Sequence, residues 1–142
     1  MAPKILLPIN DTTTTKHTLQ AVMAHRSYFR NPLTLLHVVD LNTMAYRMIP
    51  DFQIDMVRSQ AQKAGERLLA DKQSLLETVG LQVEPRLAWG SPRVTIIDIA
   101  EEEKFDLLIL GRKGPSGEIR SVLFGSVANH LLHKAPCPVL LF

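Results

Sequence analysis

A chain of 142 residues, 46% hydrophobic and 21% charged, has the size and balance of a single globular domain and is neither disordered nor fibrous. Its formal charge of +2 is too small a bias to mark the clustered basic face that nucleic acid needs, and its single cysteine, Cys137, excludes an internal disulfide and fits a reducing compartment. No apolar run approaches the ~20 residues of a membrane span, and Ile5-Leu6-Leu7 is too short for a signal peptide's apolar core, so the sequence predicts a soluble, untargeted, cytoplasmic protein.

Lys4 to Ile9 is a short apolar run closed by Pro8 and by Asn10-Asp11, which reads as a buried strand. Thr12 to Thr15 offer N-cap hydroxyls, and Leu19, Val22, Met23 and Ala24 follow at helical spacing. They predict a first helix over 14–29, broken by Asn31-Pro32. Leu33 to Val39, holding His37, is a second strand that stops at Asp40. The proline-free stretch from Asp51 to Thr78 carries an apolar stripe of Ile54, Val57, Ala61, Leu68 and Leu75. It predicts a long helix closed by Gly80 and bent or split at Gly65. Leu81 to Ala88 alternates apolar with polar residues and reads as a strand near a sheet edge, because Pro85 cannot donate to a ladder.

Gly90-Ser91-Pro92 is a turn into a third helix, with Ser91 as N-cap and Pro92 at the first helical position. Asp106 to Leu110 is a fourth, buried strand; Ser126 to His133 is a last helix; Val139 to Phe142 is a final strand. Strands and helices alternate, and the strands are short and continuously apolar. The pattern predicts an α/β protein: one doubly wound five-stranded parallel sheet with helices on both faces, a single domain over 1–142.

Ligands of such sheets bind beyond the carboxyl ends of the strands, where the winding reverses. The end of the fourth strand is the richest of these. Gly111 and Gly114 allow close backbone approach, Gly125-Ser126 opens a helix whose free N–H groups favour an anion, and Arg112, Lys113 and Arg120 add positive charge. Neither Gly-x-x-x-x-Gly-Lys-Ser/Thr nor Gly-x-Gly-x-x-Gly is present, so the loop is neither a standard P-loop nor a dinucleotide fingerprint. It reads either as a phosphate cradle or as a surface loop with a helix cap.

Five stretches taken together resemble the universal stress protein family. They are Lys4-Ile5-Leu6-Leu7-Pro8-Ile9-Asn10, Leu35-Leu36-His37-Val38-Val39-Asp40, Gly90-Ser91-Pro92 with the helix behind it, Asp106-Leu107-Leu108-Ile109-Leu110-Gly111, and Gly125-Ser126-Val127-Ala128 with Ala135-Pro136-Cys137-Pro138-Val139-Leu140. They cover essentially the whole chain in order. The resemblance implies a Rossmann-like sheet of the adenine nucleotide alpha hydrolase type and a regulatory module of the stress response that binds ATP or AMP, with Mg2+ accompanying the nucleotide. It implies phosphate contacts at Gly111, Lys113, Gly114, Gly125, Ser126 and Val127, adenosine contacts at Pro8, Ile9, Asn10 and Val38, and a further nucleotide contact at Leu110. It also implies a homodimer through Val139 to Phe142, an apolar edge strand.

The chain departs from the family pattern twice. The spacer Pro115 to Phe124 is one residue longer than the family's, and Asn10 stands where the family usually has Asp. Both departures favour a second reading, a nucleotide-independent dimeric interaction protein. An enzyme ranks last: no general acid–base pair or activated nucleophile stands out, and slow ATP hydrolysis is the most the sequence supports.

Other residues read more plainly. His37 is expected as a hydrogen-bonded core histidine, and His130 and His133 lack the further ligands of a metal site. Trp89 is expected to pack rather than stack on a base. The stripe Met44, Met48, Ile49, Phe52 and Met56 is expected in the core sooner than in a lid or partner contact.

Overall fold

A computed structural model describes residues 3–41, 49–112 and 126–142. The strands β1 (Ile5–Ile9), β2 (Leu33–Val39), β3 (Val83–Trp89), β4 (Leu107–Leu110) and β5 (Val139–Leu141) form one five-stranded sheet in the order β3-β2-β1-β4-β5. Every pairing is parallel. The chain winds outward from β1 through β2 to β3, then crosses back to β4 and β5. The reversal therefore falls between β1 and β4. Among the described residues four helices accompany the strands: α1 (Thr13–Ala24), α2 (Ile54–Glu77), α3 (Pro92–Glu102) and α4 (Ser126–Lys134).

Continuous apolar strands follow from burial on both faces. In β1, Ile5, Leu7 and Ile9 pack with Leu19 and Val22 of α1 and Leu69 and Leu76 of α2. Leu6 points the other way, to Ile96, Ile99 and Ala100 of α3 and Leu131 of α4. The period-2 alternation of a strand thus divides one apolar run between two cores. β3 lies at an edge, as its proline predicts.

Three local expectations change. Helix α1 stops at Ala24 rather than continuing to Phe29, and a 3-10 turn follows over Arg26–Tyr28. Basic side chains take its last carbonyls: His25 Nδ1 donates to Ala21 O at 2.8 Å and Arg26 to Met23 O at 3.2 Å. Helix α2 runs unbroken through Gly65, which is buried. A Cβ there would stand 2.7 Å from Leu87 Cδ1 and 3.1 Å from His37 Cδ2, so the glycine lets the helix lie close on β2 and β3. Ser91 precedes α3 as expected, but its hydroxyl makes no capping hydrogen bond.

Candidate ligand cleft

β1 is bonded unequally to its two neighbours. It pairs with β2 from Ile5↔Leu33 to Ile9↔His37, but with β4 only at Ile5↔Leu107 and Leu6↔Leu108. Leu107 N–H donates to Lys4 O, so Lys4, Leu6 and residue 8 are the positions of β1 whose backbone groups face β4. Residue 8 is Pro8, which has no N–H to donate. The β1–β4 ladder ends where that proline stands, and the strands part above it.

A cleft of about 330 Å3 occupies the gap. Its floor and sides are Pro8, Ile9 and Asn10 of the β1 end, Leu36 and Val38 of β2, and Leu110 and Gly111 of the β4 end. Helix α1 contributes Thr14, Thr15 and Thr18; the starts of α3 and α4 contribute Pro92, Ile96, Val127 and Ala128. All of these are uncharged. Helices α1, α3 and α4 carry no acidic residue in their first turns, so those turns do not offset the positive ends of their dipoles.

Gly111 is required by space. A Cβ on it would lie 1.7 Å from Thr18 Oγ1 and 3.0 Å from Thr18 Cβ, so only a glycine lets the end of β4 lie against α1. Thr18, itself buried, donates to Thr14 O at 2.8 Å, which holds its hydroxyl in the helix.

Asn10 is tied to the start of α1. Its N–H donates to Thr15 Oγ1 at 2.9 Å, and that hydroxyl donates back to Asn10 Oδ1 at 2.7 Å. Thr12 Oγ1 also donates to Asn10 Oδ1, while accepting from Thr15 N–H at 3.4 Å as N-cap. His37 Nδ1 donates to Ile9 O at 3.1 Å, so this half-buried histidine fastens β2 to the upper end of β1.

Of the residues singled out from the sequence, Pro8, Ile9, Asn10, Val38, Leu110, Gly111 and Val127 line this one cleft. Ser126 is the first residue of α4, directly before the lining residue Val127. Lys113, Gly114, Arg120 and Gly125 lie outside the described residues, as do Met44 and Met48. Trp89 is 41% exposed and does not line the cleft. Phe52 and Met56 are 84% and 65% exposed, which overturns their assignment to the core: Phe52 lies in the 3-10 turn Asp51–Gln53 that leads into α2 and Met56 in the first turn of α2. The sequence reading missed the threonine wall and the apolar group of Leu36, Ile96 and Leu131. The run Thr12 to Thr15 is visible in sequence only as a cap. Burial raises the pKa of the Cys137 thiol, with Asp106 adding to the shift, which disfavours a reactive thiolate.

A model of the universal stress protein family matches residues 1–142. The chain belongs to that family. Among curated members it is 27% identical to universal stress protein YxiE of Bacillus subtilis, over 99% of each chain. It is also 27% identical to universal stress protein MJ0577 of Methanocaldococcus jannaschii, over 99% of this chain and 94% of that one. The solved structure of MJ0577 superposes with a TM-score of 0.78, covering 99% of this chain and 96% of the other at 25% identity. A universal stress protein family structure from Arabidopsis thaliana, with AMP bound, shares the fold at a TM-score of 0.69 and 18% identity, covering 99% and 91% of the two chains. Among the described residues of this universal stress protein, no helix is long and apolar enough to cross a membrane.

Proposed function

We infer that this universal stress protein binds an adenine nucleotide, AMP or ATP, between the ends of β1 and β4 and acts as a cytoplasmic, nucleotide-bound regulatory module of the stress response. The carrying observation is the parted β1–β4 seam, because it places an apolar recess at the sheet's switch point, beside helix first turns that hold no acidic residue. The AMP held by the Arabidopsis relative supports the reading. The base lies against Leu36, Val38 and Ile96. The sugar lies over Pro8, Ile9 and Asn10, and the phosphates face Leu110, Gly111 and Val127 with Lys113, Gly114, Gly125 and Ser126. Mg2+ accompanies the phosphates when ATP is the ligand. Calorimetric titration of the full chain with AMP and with ATP tests this: saturable binding at one nucleotide per chain is expected, and no heat at millimolar nucleotide rejects it.

A second reading rests on β5. This edge strand presents Val139, Leu140 and Leu141 half-buried, with no charge and no proline. It is the surface for a homodimer whether or not nucleotide binds. Sedimentation at micromolar concentration gives twice the chain mass on this reading and a single chain mass against it.

A further inference from the structure

The polarity of Asn10 specifies part of the ligand. Both threonine hydroxyls that meet its side chain also accept a backbone N–H, Thr15 from Asn10 and Thr12 from Thr15. Each then has its proton to give, and both give it to Oδ1. The contact with Thr15 Oγ1, at 2.7 Å, has the length of an O–H···O bond and is short for N–H···O, which orients the amide with Oδ1 toward the hydroxyls. Its carbonyl is turned to α1, and its Nδ2 group, on the opposite side of the planar amide, has no hydrogen bond to any described residue. Asn10 is exposed and lines the cleft at the end of β1, between Val38 of β2 and Gly111 of β4.

Resting on the nucleotide reading above, we propose that Asn10 is a specificity-determining residue that presents only a donor, so the sugar oxygen it meets serves as a hydrogen-bond acceptor and needs no proton of its own. A carboxylate at this position reverses the requirement. One of its oxygens can still accept from Thr12 and Thr15, but the other can only accept from the ligand, and a sugar oxygen without a proton then faces it unpaired. The protein as it stands therefore tolerates a sugar whose hydroxyl is etherified or esterified at that point.

The test compares AMP with 2′-O-methyl-AMP and 3′-O-methyl-AMP on the wild-type chain and on Asn10→Asp, by calorimetry. Methylation removes a proton and keeps the oxygen. The ratio of AMP to methyl-AMP affinity within each protein cancels the general effect of the new charge on phosphate, and comparing the two proteins cancels the methyl group's bulk. The expected result is a ratio about tenfold larger in Asn10→Asp than in wild type for one of the two regioisomers. Equal ratios in both proteins, for both regioisomers, overturn the assignment while leaving nucleotide binding intact. A wild-type chain that binds none of the three overturns the nucleotide reading and this inference with it. The variant keeps an oxygen that accepts from both threonine hydroxyls, and an unchanged melting temperature confirms that its fold is preserved.

Discussion

The two seams of β1 make an instructive pair. Toward β2 the strand is zipped from Ile5 to Ile9, and His37 adds a side-chain bond to the last carbonyl. Toward β4 it is zipped only to Leu6. The residues of β1 are the same in both cases; what differs is which of them face each way. Ile5, Leu7 and Ile9, whose backbone groups face β2, all carry an N–H, whereas Pro8 falls on the β4 side. One proline, at one parity, keeps the central strand anchored and leaves the switch point open for a ligand.

The largest expected effect is at the open seam. Gly111→Ala drives a methyl into Thr18, which is held by its own hydrogen bond, and should destabilise the fold by about 3 kcal/mol while abolishing nucleotide binding. The matching change near the closed seam, Gly65→Ala, meets only the ends of the Leu87 and His37 side chains. The Leu87 end can turn aside while His37, held by Ile9 O, need give only a few tenths of an ångström, and alanine recovers up to about 1 kcal/mol of helix propensity, so the net cost should stay below about 1.5 kcal/mol. Chemical denaturation of both variants measures the contrast; equal costs would mean that the two seams are packed alike.

Pro8→Val probes the seam more gently. It restores an N–H facing β4, so the ladder should lengthen toward Ile109 and the new amide should be protected from hydrogen exchange. Stability should change by less than about 1 kcal/mol, since the added hydrogen bond offsets the freer unfolded chain. Nucleotide affinity should fall several-fold as the gap narrows. An unprotected valine amide with unchanged affinity would show that the proline does not hold the cleft open.

The smallest effect is remote from the cleft. Arg86 on the edge strand β3 donates to Glu103 just beyond α3, and this hydrogen bond holds the Glu103 carboxyl below its usual value of 4.5. A carboxyl depressed in the folded state stabilises the fold above its unfolded pKa and loses that contribution as pH falls through the folded value. Thermal melts from pH 6 down to about pH 3 should therefore show a small drop that Arg86→Met removes. The two side chains are 38% and 36% exposed, enough for solvent to screen the pair, so the difference should stay below about 1 kcal/mol at low salt.

The succession of strands and helices, the edge position of β3 and two-sided burial were legible in the sequence because each follows from local pattern: Pro85 marks an edge, and the Ile5–Ile9 run marks a strand covered on both faces. The cleft was legible where glycine or proline carries it, at Pro8, Gly111 and the start of α4. The threonine wall was not, because Thr12 to Thr15 satisfy a helix cap and a cleft lining with the same hydroxyls. Gly65 misleads because helix propensity speaks against glycine, while the reason for it lies in Leu87 and His37, distant in sequence. The end of α1 is hidden because His25 and Arg26 close it with side-chain bonds that no apolar period reveals.

The central claim is that nucleotide binds where β1 and β4 part. Amide resonances of the full chain, followed by two-dimensional NMR during titration with AMP, test it most directly. Saturable shifts gathered at Ile9, Asn10, Val38, Gly111 and Val127, with the β3 edge unmoved, are the predicted result. Shifts centred elsewhere, or none at millimolar AMP, would contradict it.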